Sequence, residues 1–377
     1  MDGSNEPKAG TQRRMAVLWS HLSGYLNACL RECQRRDVAL LTSWFRAESQ
    51  APFAEEQFSW LRDHGRGYEW AGSAHIDSNH LGAALGDFKP DMTLISGWHH
   101  PGYRRVARQL SGKSLRVLCM DNAWEERPKQ WLGRAVASWY VRPLFDAALV
   151  AGERQYQFAR RLGFSDGEII TGLYAPDSER FAAVESAATN RKGFVFVGRL
   201  APEKGVQTLA DAYRIYRRMS TAPWPLTVAG TGPLQSAITG IDGVKLAGFV
   251  QPDALAPLLL RHACMVVPSH REPWGVQISE GASAGLALIA TAACGATVHL
   301  VREGFNGHVI PAKDPRALAH AMLRIEVNVN VEQFGRNGRV LAGQFTPRIW
   351  ADNLLSLPTQ GTIPVESRPS KSALVSP

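Results

Sequence analysis

The strongest constraint on this chain is a rhythm that runs twice. Short apolar runs alternate with longer amphipathic stretches, the alternation lapses near residue 180, and it then restarts. Continuous apolar runs are what parallel strands buried on both faces look like, and the amphipathic stretches between them are the crossover helices such strands require. In the first half the runs fall at residues 15–20 (MAVLWS), 38–42, 91–96 (DMTLIS), 115–120 (LRVLCM) and 145–150 (FDAALV). A helix is expected over 24–36, with Leu26, Leu30 and Cys33 on one face, and another opens at Pro101, a favoured first helical residue. In the second half strands are expected at 194–197 (FVFV), 226–229 (LTVA), 244–246, 265–267 and 288–290. Helices are expected over 206–218, 275–284, 314–325, 331–340 and 347–357, the third of them capped by Asp314.

Two copies of an open α/β unit also fit the length. At 377 residues the chain exceeds what one hydrophobic core usually serves. The expected division is two Rossmann-like lobes with parallel sheets, 13–175 and 193–345, joined by a linker at 176–192 and followed by a helix at 346–357. Residues 1–12 and the Pro/Ser/Thr-rich 358–377 are expected to be disordered. A composition of 45% hydrophobic and 20% charged residues excludes a largely disordered or fibrous chain. Five scattered cysteines without a CxxC pair exclude a disulfide framework and a zinc knuckle, and point to reduced thiols. The polar first fourteen residues carry no secretory core. The longest uncharged stretch, 281–301, is rich in Gly, Ala, Ser and Thr and contains His299, so it reads as buried α/β core rather than a membrane span.

The net charge of +8 is unevenly placed: residues 1–180 hold 23 basic and 21 acidic side chains, residues 181–377 hold 19 and 13. No Lys/Arg block or nucleic-acid motif accompanies the excess, so no nucleic-acid partner is expected. On charge alone, an anionic small molecule or an anionic lipid surface suits it equally. No basic amphipathic helix stands out, and the expected location is cytoplasmic, with peripheral attachment at the inner face of the membrane as an added hypothesis.

In open α/β sheets ligands bind beyond the carboxyl ends of the strands. After FVFV comes Gly198-Arg199-Leu200-Ala201-Pro202-Glu203-Lys204-Gly205, in which a glycine admits close backbone approach and two cations stand near a helix start, an arrangement suited to a diphosphate. After LTVA comes a second glycine turn, Gly230-Thr231-Gly232-Pro233. After residue 267 comes Pro268-Ser269-His270-Arg271-Glu272-Pro273-Trp274-Gly275, with Glu280 eight positions beyond Glu272. A helix opening at Gly275 would offer its free N–H groups as a second anion cradle. One of the two carboxylates would take a sugar hydroxyl and the other a ribose hydroxyl.

The ordered set GRLAPEKG, LTVAGTGP, LAGFV, EPWGVQISEGASAGLALIAT and FNGHVI, dense over 193–325, resembles the nucleotide-sugar lobe of retaining family-4 (group 1) glycosyltransferases of the GT-B fold. The resemblance implies two lobes facing across a cleft, the first binding acceptor, with the last helix crossing back to it. It implies hexosyl transfer from a nucleotide-diphosphate sugar to a hydroxyl, with retention, in polysaccharide or glycolipid assembly on a glycan or lipid-linked acceptor. Arg199 and Lys204 match the pair that grips the diphosphate, Glu272 the carboxylate facing the donor sugar, and Glu280 the one holding the ribose. Gly275 and Val276 match positions whose backbone N–H groups meet phosphate or sugar, and Phe249 falls where backbone brackets the nucleobase. No Asp-x-Asp occurs in the sequence, so no metal or other cofactor is expected, and the catalytic set is Arg199, Lys204 and Glu272.

In the first half the family's glycine-rich loop is reduced to Gly24. Asp121-Asn122 stand where several relatives carry a histidine beside the reacting sugar, and His99 is placed to bind acceptor hydroxyls. Trp98, Trp124 and Trp131 read as buried tryptophans or as platforms for sugar rings. Two other functions share the architecture: a sugar-nucleotide epimerase, which needs no acceptor, and a relative that binds nucleotide sugar without catalysis.

Overall fold

The computed structural model describes residues 12–46, 55–63, 66–182, 191–328 and 330–358. Residues 1–11 and 359–377 of the segments expected to be disordered, and residues 183–190 of the expected linker, lie outside these residues; the described part of that linker includes a short helix, Ser178–Ala182. Two separate sheets form. The first comprises β1 (Arg14–Leu18), β2 (Ala39–Phe45), β3 (Gly67–Trp70), β4 (Met92–Ser96), β5 (Leu115–Met120), β6 (Ala147–Val150) and β7 (Ile169–Thr171), in the order β3-β2-β1-β4-β5-β6-β7. The second comprises β8 (Phe194–Val197), β9 (Leu226–Ala229), β10 (Val244–Gly248), β11 (Cys264–Val267), β12 (Ala287–Thr291) and β13 (Gly307–Ile310), in the order β10-β9-β8-β11-β12-β13. Every pairing is parallel. The strand order reverses between β1 and β4 and again between β8 and β11, which puts a crevice at the carboxyl ends of each sheet.

Central strands such as β5 and β12 are buried along their whole length, whereas β10, at a sheet edge, alternates between covered and open residues. One polar residue survives inside β5. Arg116 is 5% exposed, and its guanidinium is held by both Asp146 oxygens at 2.7 and 3.0 Å and by the Pro143 carbonyl at 3.0 Å, so the buried charge is paired and hydrogen-bonded. This engagement of Asp146, with a tight turn over Arg142–Leu144, is why the strand expected over 145–150 starts at Ala147. The strands β3 and β7 and the helices Ser78–Phe88, Pro128–Tyr140 and Glu153–Arg161 are additions to the elements expected from the sequence.

The five cysteines are free and buried. Residues 281–301 fold as the end of helix Val276–Ser283, β12 and the helix Thr297–Leu300, within the second lobe's core. Among the described residues no helix is long and apolar enough to cross a membrane. The helix Pro347–Leu355 leaves the second sheet and packs on helix Gly24–Arg35, where Arg36 pairs with Asp352 at 2.5 Å and Arg13 donates to the Leu355 carbonyl. Trp350 and Leu354 of that helix join one hydrophobic cluster with Leu26, Cys29 and Leu30 of the first lobe and Ile278 of the second. The last helix therefore ties the second lobe back to the first.

Candidate functional site

The loops that follow β8, β9 and β10 come together around a cavity of about 420 Å3 lined by Gly198, Arg199, Lys204, Gly230, Thr231 and Phe249. The floor needs two glycines. A Cβ on Gly230, whose φ is +146°, would lie 1.9 Å from the Gly198 carbonyl oxygen, so the two turns touch backbone to backbone. Gly232 lines none of this cavity and instead packs against the Leu200 backbone. Lys204, at the end of the tight turn Pro202–Lys204, donates from Nζ to Glu272 Oε2, and Arg199 pairs with Glu203. The Glu203 carboxyl is held below its usual pKa by its own backbone N–H and by Arg199.

Glu272 is 9% exposed and sits in the loop after β11. Besides Lys204 it accepts a hydrogen bond from Gln277 Nε2 at 3.1 Å, and its backbone carbonyl takes the Gly295 N–H at 3.1 Å. Gly275, with φ +101°, is the N-cap of helix Val276–Ser283, so the expected helix begins one residue later. A Cβ there would come within 3.1 Å of Glu272 Cγ, and the conformation itself favours glycine. The same helix carries Glu280 into a second cavity, of about 190 Å3, between the lobes, where Gly24, Tyr25, Arg180, Phe249 and Pro252 are its neighbours. Burial pushes the Glu280 carboxyl up to about 7, and no hydrogen bond or ion pair among the described residues opposes that shift.

A third cavity, of about 350 Å3, lies at the carboxyl ends of β1, β4 and β5 and is lined by His21, Tyr25, Trp98, His99, Asp121 and Tyr174. Tyr25 borders both this cavity and the interlobe one, and Phe249 borders both the interlobe cavity and the glycine-floored one, so neighbouring cavities share a wall residue. The Tyr174 hydroxyl donates to Asp121 Oδ2 at 2.8 Å. Burial lowers the pKa of His99, with help from Arg104, and lowers that of His100 to about 4, so both imidazoles are neutral at pH 7.

Residues 191–328 match the family model described as glycosyl transferases group 1. Over 305 residues the chain is 33% identical to D-inositol 3-phosphate glycosyltransferase of Frankia alni, a match that covers 66% of this chain and 72% of that protein. The chain belongs to the group 1 glycosyltransferases. It is also 31% identical over 153 residues to D-rhamnosyltransferase WbpZ of Pseudomonas aeruginosa, covering 38% of this chain and 39% of that one. With glycogen synthase of Mycobacterium tuberculosis it shares 26% identity over 272 residues, 70% of this chain and 60% of that one. The matches thus span less than two thirds of these two relatives. Among solved structures, Anabaena Alr3699/HepE in complex with UDP superposes with a TM-score of 0.69 at 16% identity, covering 91% of this chain and 98% of that one. Sucrose-phosphate synthase of Thermosynechococcus elongatus superposes with a TM-score of 0.65 at 17% identity, covering 91% and 97%. These neighbours establish the GT-B fold.

In this group 1 glycosyltransferase several residues that bind the site together carried no motif. Gln155 is fully buried and donates from Nε2 to the Asp121 carbonyl of the first lobe at 2.8 Å and to the Pro273 carbonyl of the second at 2.7 Å. His299 Nε2 accepts the Glu153 N–H at 3.0 Å across the same junction. His270, adjacent to the Lys204 turn, meets Thr208 Oγ1 at 2.8 Å. Gln155 and His299 lie in helices whose sequence is ordinary, and only the approach of the two lobes gives them these partners, whereas His270 meets Thr208 within the second lobe.

Proposed function

We propose that this protein transfers a glycosyl group from a nucleoside-diphosphate sugar to a hydroxyl acceptor with retention of anomeric configuration, as a family-4 enzyme of glycan or glycolipid assembly. The observation that carries the proposal is the convergence of Arg199 and Lys204 on the glycine-floored cavity, with Lys204 bound to Glu272. The UDP complex of the Anabaena neighbour supports a nucleotide donor. In this reading the division into lobes 13–175 and 193–345 separates acceptor from donor.

Arg199, Lys204 and the N–H groups of Gly275 and Val276 receive the diphosphate, and no metal is needed for that work. Gly198 and Gly230 let backbone approach it, Gly232 keeps their turn in place, and Gly24 reaches the same ligand from the first lobe. Phe249 borders the base, Glu280 accepts from ribose hydroxyls, and Glu272 orients the sugar. The C1–O bond breaks with its electron pair leaving on the diphosphate, the acceptor oxygen bonds to C1 on the face vacated, and the acceptor proton passes to a phosphate oxygen. Fixed cations stabilise the charge that grows on the leaving group. His99 and Asp121 line the acceptor side.

The test is turnover of Lys204→Ala and Arg199→Ala with nucleotide sugar and acceptor. Activity within a few-fold of wild type sinks the assignment. Conversion of donor without acceptor would mark an epimerase, and donor binding without transfer a non-catalytic relative.

A further inference from the structure

The helix Pro128–Tyr140 is oriented against the usual rule. Among the described residues Ala137 is the one buried position along it, whereas Trp131 is 49%, Leu132 67% and Trp139 70% exposed. With 3.6 residues per turn, Trp131, Ala135, Trp139 and Leu132 fall within about 100° of arc, with Arg134 beyond one edge and Lys129 beyond the other. The Arg134 guanidinium lies over the Trp131 ring, 5.4 Å from its centroid. Residues 127–142 contain Arg127, Lys129, Arg134 and Arg142 and no acidic residue. Arg127 and Arg142 are committed to Glu125 and Glu168, which leaves Lys129 and Arg134 as the outward charges.

We propose that this face is the surface by which the protein rests on a bilayer containing anionic phospholipid. Tryptophan rings flanked by cations suit the boundary between acyl chains and headgroups, where the rings enter the apolar region and the cations meet phosphate. Charge selects this occupant over a second copy of the chain. An isologous dimer on this face would bring Lys129 and Arg134 of one copy towards those of the other, with no carboxylate on the helix to offset them, whereas anionic headgroups complement them. The placement also connects to the cleft. The loop that leaves Asp121 is pinned to the first turn of the helix by Gln130, which donates to the Ala123 carbonyl at 2.8 Å and accepts the Glu125 N–H at 2.8 Å. A bilayer against the helix therefore lies one loop away from the cavity assigned to the acceptor, which makes the acceptor class lipid-borne; that last step rests on the glycosyl-transfer reading, while the docking itself does not.

Co-sedimentation of the full chain with phosphatidylcholine vesicles and with equimolar phosphatidylcholine/phosphatidylglycerol vesicles tests it. Binding is expected to the anionic vesicles and to fall as salt rises. Lys129→Gln with Arg134→Gln should weaken it about 30-fold, since each cation near an anionic surface contributes about 1 kcal/mol. Leu132→Ser with Trp139→Ser should weaken it on the order of 100-fold. Both pairs are exposed, and an unchanged melting temperature and an unchanged UDP-induced shift in it verify the fold. No binding by wild type, binding indifferent to both pairs, or a solution dimer dissolved by Trp139→Ser would each overturn the proposal. Vesicle binding that persists while Lys204→Ala retains full turnover would sink the catalytic reading alone.

Discussion

The two lobes share a topology and build their halves of the cleft from opposite materials. In the second lobe the groups are charged and paired, Lys204 on Glu272 and Arg199 on Glu203, over a floor of glycine backbone. In the first lobe a single carboxylate, Asp121, takes the Tyr174 hydroxyl and the other groups are aromatic or neutral: Tyr25 and Tyr174 meet edge to face at 4.9 Å, and burial lowers the pKa of His99 and His100. Fixed cations suit a ligand whose charge grows during reaction, and neutral hydrogen-bonding surfaces suit one that brings hydroxyls. The difference teaches that one fold can be specialised lobe by lobe through the residues just beyond its strands.

The largest expected effect tests the charged half. Lys204→Ala should lower kcat by about 10²–10³ in a steady-state assay and also lower the melting temperature, because the buried Glu272 loses its partner; a comparable loss of kcat from His99→Ala would erase the contrast between lobes. Next comes the floor. Gly230→Ala forces a Cβ against the Gly198 carbonyl at a φ that favours glycine, and should cost about 3 kcal/mol, read calorimetrically as a drop of roughly 6–12 °C.

A smaller effect tests Glu280, whose carboxyl is raised from 4.5 to about 7. Because the folded pKa exceeds the unfolded one, the stability it contributes is complete below about pH 4.5 and is lost as pH rises to about 7. Glu280→Gln should remove about 3 kcal/mol of that pH dependence, so a melting-temperature profile with the same slope as wild type would refute the assignment. Ribose hydroxyls donating to this group favour its ionised form, so UDP should lower its pKa. The smallest change is expected in the neutral half. Tyr174→Phe removes the hydrogen bond to Asp121 and should cost about 1 kcal/mol, seen as a several-fold rise in acceptor KM with donor KM unaltered.

The legibility of the sequence divides along the same line. Arg199, Lys204, Gly230 and Gly275 were readable because glycine at a strand end and a cation before a helix are local requirements, written within a few residues. Tyr25, Tyr174, Gln155 and His299 were not, because their partners lie tens of residues away and nothing near them in the chain marks the meeting. The helix Pro128–Tyr140 was misread for another reason. Trp131 reads from the sequence as buried or as a sugar platform, yet it is 49% exposed, and an apolar arc announces that a helix has a preferred face without saying whether that face turns to the core or away from it.

The sequence by itself determined the two parallel sheets and the glycine turns beyond their strands, since burial on both faces and left-handed backbone each demand particular residues at particular positions. Tertiary structure alone decided that Gln155 spans the lobes, that Glu280 is desolvated between them, and that Trp131 and Trp139 look outward. Those properties depend on what stands opposite each residue, and that is fixed by how the lobes and helices pack against one another.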